Sequence, residues 1–414
     1  MSTGATDIHV LMLLASLPPG RAGGAEIQGL ALASELQAQG VQVSILTPGK
    51  DSPKGAVPGI PVYRLHSWPA RIFAFLSRVK PRTEKKTAPV ALDESRDAVA
   101  QISGKIRWTQ VLFYHIFFWH AVLFLIPRQK KFTCIHAHTM EWSALVASRL
   151  GARFGLPVLV KESTLNGFKS LSRFPRGHFR QRLLKETSHF VAMTRAIRAN
   201  LLAENIPADR IHDIPNGIRI LDYPARAAKT EEIVLFVGNL YQQPAKGVDL
   251  LLMAWAEVVV RHPRAVLLLI GDGATSEWTE WLRRQSLDQS VRLLGKQSGL
   301  ARHYLEATVF VLPSRREGMS NALMEAMMFG LPCVATDISG SQDLIRNEEN
   351  GLLVPAADVQ ALAGAIRRVL DHPQWASEMG KKAAETIRGS YDIRRIAEAY
   401  VKLYHQIISP AGAS

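Results

Sequence analysis

Two glutamates, Glu317 and Glu325, stand eight positions apart in the run Pro313-Ser314-Arg315-Arg316-Glu317-Gly318-Met319-Ser320-Asn321-Ala322-Leu323-Met324-Glu325. The apolar Val309-Phe310-Val311-Leu312 before them reads as a buried strand ended by Pro313-Ser314, and Ser320 or Asn321 reads as a helix start. Carboxylates accept hydrogen bonds from hydroxyl groups, and a helix amino terminus favours phosphate. At about 1.5 Å rise per helical residue the two acids are spread over roughly 12 Å. One can meet one end of a long anionic ligand while the other meets its far end. Lys246, in Lys246-Gly247-Val248-Asp249 at the start of another helix, offers a flexible point charge for phosphate. Gly23-Gly24 precedes a helix at 25–39, where backbone can approach a phosphate closely.

These residues need a sheet edge to hold them. The first half opens with a strand at 8–16, a helix at 25–39 and a strand at 41–47, a βαβ unit. Strands at 133–138, 157–161, 189–193 and 211–214 alternate with helices at 144–154, 178–186 and 195–204. Residues 50–130 break this alternation and read as an insertion, with 81–89 a polar, charged loop. After a linker at 218–231 the alternation restarts, with strands at 233–238, 265–271, 290–294 and 309–312 and helices between them. The expected architecture is α/β, two doubly wound halves facing each other across a cleft, with ligands at the carboxyl ends of the strands. We place the first domain at 1–217, with a basic and apolar insertion at about 66–131, and the second at 218–388. A long amphipathic helix closes the chain within 389–414.

The Glu-x7-Glu spacing, set between a strand ending in Pro-Ser and the strand start Gly330-Leu331-Pro332-Cys333, resembles the donor site of glycosyltransferase family 4. The resemblance implies a GT-B fold of two Rossmann-like domains, a last helix that crosses back to the first, and retaining transfer from a nucleotide-diphosphate sugar, UDP- or GDP-linked. By that resemblance Glu325 accepts from the ribose hydroxyls, and Glu317, with the amides of Gly318, Met319, Ser320 and Asn321, holds the transferred sugar and its phosphate. Lys246 grips the diphosphate. Asn239 stands where the family more usually carries an arginine, so another cation is expected to compensate. Leu294-Gly295-Lys296 resembles the loop whose backbone contacts the nucleobase, and Gly23 and Gly24 the loop that approaches the donor from the first domain. Ile135-His136-Ala137-His138 resembles the family's histidine close to the reacting sugar. His138 aligns best, while His136 points into the sheet. His138 would donate a hydrogen bond to a sugar hydroxyl or carry positive charge toward the phosphate. Asn216-Gly217 is assigned a turn role only. No Asp-x-Asp triplet occurs in the chain, so a bridging metal is not expected, and the resemblance implies a metal-independent hexosyltransferase without a resident cofactor.

The formal net charge is +14, and it is uneven. Residues 69–131 hold twelve Lys/Arg against four Asp/Glu, and residues 161–186 seven against two. Within the first segment, 111–126 is sixteen residues without a charge, flanked by Arg107, Trp108 and by Arg128, Lys130 and Lys131. It is short of the roughly 20 residues a spanning helix needs. A buried helix and one lying on anionic lipid both fit, a span least well, and residues 72–76 with their basic neighbours are a second candidate contact. The expected acceptor is a glycan or a lipid-linked saccharide of the cell envelope, met in the cytoplasm at the inner face of the membrane. Cys134 and Cys333 read as reduced core residues. Another sugar-nucleotide enzyme of the same fold, such as an epimerase, and a basic nucleic-acid- or membrane-binding protein are the competing readings. The aromatics lie in an apolar run rather than between the charges, which argues against nucleic acid as a partner.

Overall fold

The computed structural model describes residues 7–17, 23–49, 57–65, 108–163, 188–223, 231–240, 243–273 and 276–409, with positions 167, 171, 181 and 184–186. Arg107, residues 72–76, the loop at 81–89 and most of the basic segment 161–186 lie outside them. The described residues fall into two units: those through Gly217 together with the last helix, and Ile218–Asp392.

The first unit is a seven-stranded parallel sheet. Its strands are β1 (His9–Leu13), β2 (Gln42–Pro48), β3 (Val62–Leu65), β4 (Cys134–Ala137), β5 (Val158–Glu162), β6 (Ser188–Ala192) and β7 (Ile211–Asp213). Their order, β3-β2-β1-β4-β5-β6-β7, reverses direction between β1 and β4. That reversal is the topological switch point, where open α/β sheets take ligands. Around it run α1 (Gly24–Ala38), α2 (Trp108–Leu125), α3 (Trp142–Phe154) and α4 (Arg195–Ala203). Within the insertion expected at residues 50–130, Val62–Leu65 pairs with β2 as an edge strand. All four of its residues are half-buried, which leaves little alternation to detect.

The second unit repeats the plan with six parallel strands. They are β8 (Ile233–Val237), β9 (Val266–Ile270), β10 (Val291–Gly295), β11 (Val309–Leu312), β12 (Cys333–Thr336) and β13 (Leu352–Val354), in the order β10-β9-β8-β11-β12-β13. Its switch point lies between β8 and β11. The strands are nearly continuous Val, Ile and Leu because helices cover both faces. Those helices are α5 (Gln243–Lys246), α6 (Val248–Arg261), α7 (Ser276–Arg284), α8 (Ala301–Glu306), α9 (Asn321–Met328), α10 (Ser339–Gln342), α11 (Val359–Asp371) and α12 (Pro373–Ser390). The last helix, α13 (Ile393–Ile408), belongs to the first unit. Its Ile396, Tyr400, Leu403 and Tyr404 join the core formed by β1, β2 and α1.

Candidate active site

The residues gathered at the second switch point come from separate stretches of the sequence. Strand β11 ends in Pro313-Ser314, and the following loop carries Glu317, Gly318 and Met319 into α9. Ser320 caps that helix, its hydroxyl accepting from the Leu323 amide at 3.4 Å. The expected helix start is therefore at Ser320–Asn321. Next to it, α5 ends at Lys246, and Gly247 adopts φ +66, the left-handed region. A Cβ there would lie 1.9 Å from the Pro313 carbonyl oxygen, so only glycine lets α5 approach the end of β11 so closely. The Ala245 carbonyl fixes the contact by accepting from the Arg315 amide at 2.9 Å.

The outcome is a pairing that sequence spacing did not reveal. Lys246 Nζ donates to Glu317 Oε2 at 2.5 Å, with side chains 19% and 17% exposed. Ser314 Oγ also donates to that oxygen, at 3.4 Å. The proposed phosphate cation and the proposed sugar carboxylate are thus one unit. A backbone contact supports the loop from the other side, since a Cβ on Gly340 of α10 would meet the Gly318 carbonyl oxygen at 1.4 Å.

Glu325 lies on α9, and its Oε2 accepts from Tyr304 Oη at 2.8 Å. Burial raises the Glu325 carboxyl above its usual range, and the Tyr304 hydrogen bond opposes that. Tyr304 is buried and stacks on Phe329, centroids 5.2 Å apart. The sequence reading missed it, because a tyrosine on a short helix 21 positions upstream carries no local signal. Asn239 follows β8 and is exposed. Arg315, two positions before Glu317, donates to both oxygens of Asp249 at 2.8 and 2.6 Å. Gly295 ends β10 with φ +64, its carbonyl accepting from the Gly271 amide at 2.9 Å, so these two turns adjoin on the same edge.

In the first unit the Gly23 amide donates to Glu26 Oε2 at 2.9 Å and Gly24 opens α1, so Glu26 serves the helix's first turn. His138 follows β4 directly. Its ring is buried, with Gly29 of α1 packed so closely that a Cβ there would lie 3.1 Å from Cδ2. Among the described residues both ring nitrogens lack a partner. Burial above all, then the charge of Lys161 and the neighbouring His136, holds the imidazole well below the usual histidine range. Burial thus favours the neutral form of the ring over the charged one. His136 points inward as expected, with Nδ1 2.7 Å from the Tyr404 hydroxyl of α13.

Lys161 of β5 is a residue the sequence reading passed over. It is buried, and Nζ donates to Asn216 Oδ1 at 2.6 Å. Burial pushes its ammonium down to about 7. Asn216, assigned only to a turn, therefore also holds a buried cation.

The basic segment is described from Trp108 onward. Trp108 opens α2, and Arg128, Lys130 and Lys131 sit exposed on the 3-10 segment Ile126–Lys131 that follows it. Among the described residues no helix is long and apolar enough to cross a membrane.

Two family models match. Glycosyl transferase 4-like domain takes residues 23–217, and Glycosyl transferases group 1 takes residues 231–372. An exopolysaccharide phosphotransferase of Streptomyces coelicolor is 32% identical over 206 residues, covering 49% of this chain and 21% of that one. The chain spans 21% and 59% of the lengths of the first two curated relatives it matches. Sucrose-phosphate synthase from Thermosynechococcus elongatus superposes with a TM-score of 0.74 at 24% identity, over 96% of this chain and 98% of that one. Anabaena HepE, solved with UDP-glucose, superposes with a TM-score of 0.72 at 17% identity, over 96% and 100%. The architecture is that of the GT-B fold, and the chain belongs to the glycosyltransferase family that these two models describe.

Proposed function

We propose that this chain transfers a hexosyl group from a UDP- or GDP-sugar to a glycan or lipid-linked acceptor, with retention at the anomeric carbon. The observation that carries the reading is the Lys246–Glu317 pair at the switch point between β8 and β11, seated under the amino end of α9. Lys246 takes the diphosphate, the amides from Gly318 to Asn321 add donors for the phosphate, and Glu317 holds the sugar. Glu325, oriented by Tyr304, accepts from the ribose hydroxyls. Gly295 brings backbone to the base, and Asn239 gives the phosphates a neutral hydrogen-bond partner. In the first unit Gly23 and Gly24 let backbone approach the donor, and neutral His138 donates a hydrogen bond to a hydroxyl of the transferred sugar. The acceptor attacks on the leaving-group side, and the departing phosphate takes its proton.

The reading needs no resident cofactor and no metal: Lys246, the loop amides and the helix end meet the leaving-group charge. The acceptor is envelope-bound saccharide at the inner, cytoplasmic face of the membrane, and the +14 charge concentrated in the first half supports that location. Nucleic acid is not a partner in this reading. Calorimetric titration with UDP and GDP tests the donor site, UDP first because HepE is solved with UDP-glucose. Micromolar binding of one nucleotide, lost in Lys246→Ala and Glu325→Ala, is expected. Binding of neither would refute the assignment.

A further inference from the structure

Helix α2 is apolar all round, but only half of it is covered. At roughly 100° per residue, Tyr114, Phe117, Ala121 and Leu125 fall on one side, and all four are buried. Phe113 and Phe117 pack edge-on against Trp142, centroids 5.3 and 4.9 Å apart. On the other side stand Leu112 (52% exposed), Trp119 (57%) and Leu123 (64%), and Ile126 (51%), the first residue of the 3-10 segment, continues their line. Their spacing of seven, four and three positions puts them in one stripe within roughly 60° of arc. Four large apolar side chains half or more exposed on one stripe are not ordinary surface scatter.

The charge beside the stripe identifies what would cover it. Residues 108–131 contain no Asp or Glu. Arg128, Lys130 and Lys131 are exposed on the 3-10 segment at the carboxyl end of the stripe. Arg128 lies over the Phe124 ring at 4.7 Å and donates to the Phe124 carbonyl at 3.1 Å, so its guanidinium is held beside the apolar surface. An isologous pairing with a second copy would have to accommodate six such cations with no acid of these segments to neutralise them. A bilayer with anionic headgroups accepts both features at once: acyl chains for the stripe and phosphates for the cations.

We propose that α2 and the 3-10 segment after it form a monotopic seat on an anionic lipid bilayer, with Leu112, Trp119, Leu123 and Ile126 entering the interface and Arg128, Lys130 and Lys131 at headgroup level. The inner face of the same helix rests on Trp142, the first residue of α3, four positions beyond His138. The seat is thereby braced against the loop that carries the first unit's candidate catalytic residue. The inference deepens the proposed function and rests on it only for the acceptor being membrane-borne.

The test is co-sedimentation of the full chain with phosphatidylcholine vesicles, with and without phosphatidylglycerol. The wild type is expected to pellet with the anionic vesicles and to be released by salt. Trp119→Gln/Leu123→Gln and Lys130→Glu/Lys131→Glu are each expected to lower the partition coefficient by about tenfold or more. Val260→Gln, at a 79% exposed valine of the second unit, should leave it unchanged. Thermal melting checks that the variants fold, and the salt titration stands independently of any variant. Wild type remaining in the supernatant with both lipids would overturn the seat, as would unchanged binding in Trp119→Gln/Leu123→Gln. A concentration-dependent dimer abolished by that variant, without vesicle binding, would assign the stripe to a second copy instead. UDP titration in parallel separates the two proposals. Nucleotide binding without vesicle binding refutes only the seat, and vesicle binding without nucleotide binding refutes only the donor site.

Discussion

Replacing Glu317 by glutamine should strengthen nucleotide binding while it slows turnover. Lys246 Nζ is 2.5 Å from Glu317 Oε2, and the two side chains are 19% and 17% exposed. A diphosphate arriving at Lys246 must therefore either take it from Glu317 or tolerate a carboxylate beside its own charge. Fully exposed ion pairs contribute about 0.2–1 kcal/mol, and hydrogen bonds to charged groups about 1.5–3 kcal/mol. For a half-buried pair the competition is worth about 1–2 kcal/mol. Glutamine keeps the shape and an acceptor oxygen but removes the charge. At 1.36 kcal/mol per factor of ten, the affinity for UDP (or GDP, whichever binds) should rise roughly 5- to 30-fold. Turnover should fall by about a hundredfold or more, because a contact tightened on the sugar in the transition state is lost. The assay is calorimetry and steady-state kinetics on wild type, Glu317→Gln, Lys246→Ala and the double variant, closed as a double-mutant cycle. The gain in affinity should vanish when Lys246 is absent. If Glu317→Gln weakens nucleotide binding as much as Lys246→Ala does, the carboxylate organises the lysine rather than competing for it, and the reasoning fails. Full turnover in Glu317→Gln would remove Glu317 from the chemistry altogether.

Three further outcomes follow from the same geometry. Tyr304→Phe leaves Glu325 without its 2.8 Å donor and should weaken nucleotide binding about tenfold with the fold intact, read by calorimetry and melting. Tyr404→Phe removes the partner of buried His136 and should lower unfolding stability by about 1–2 kcal/mol in urea. The third is a pH dependence. His136 is lowered to about 3, by burial first and Lys161 second, and His138 is also lowered. Below the unfolded histidine value of roughly 6.5, the unfolded chain takes up protons that the folded one refuses, so stability should fall as pH drops from there toward 3. Lys161, at about 7 when folded, works in a higher window. The penalty of its buried charge is fully present below pH 7 and is relieved as pH rises toward the unfolded value of roughly 10.4. Lys161→Met should therefore raise the melting temperature at pH 7 and lose that advantage by about pH 10. A stabilisation independent of pH would show that packing, not charge, sets the cost.

What could be read from the sequence was what one strand, loop and helix hold together. Glu317, Ser320 and Glu325 belong to a single β11–α9 passage, so their types, the Pro-Ser stop and the cap were sufficient. The alternation of apolar strands with helices likewise carried both sheets, except at Val62–Leu65, an edge strand with no buried face to print a period. What escaped were contacts made by topology. Lys246 and Glu317 are 71 positions apart, Lys161 and Asn216 are 55, and each pair meets only because its sheet brings the ends of separate parallel strands to one edge. Helix α2 escaped for a different reason. Its length and lack of charge were plain, but a helix apolar on every side has no period to say which side is covered, and only packing against Trp142 distinguishes them. Lys161 was the residue least open to sequence reasoning, since a lysine in the last two positions of a strand reads as its solvated end. Buried with an amide oxygen as its partner among the described residues, it carries a charge the fold would be more stable without. A group kept at that cost beside a neutral His138 is where perturbed side chains and function coincide, and Lys161→Met separates the two contributions: higher stability with lost turnover places it in the chemistry, and higher stability with full turnover does not.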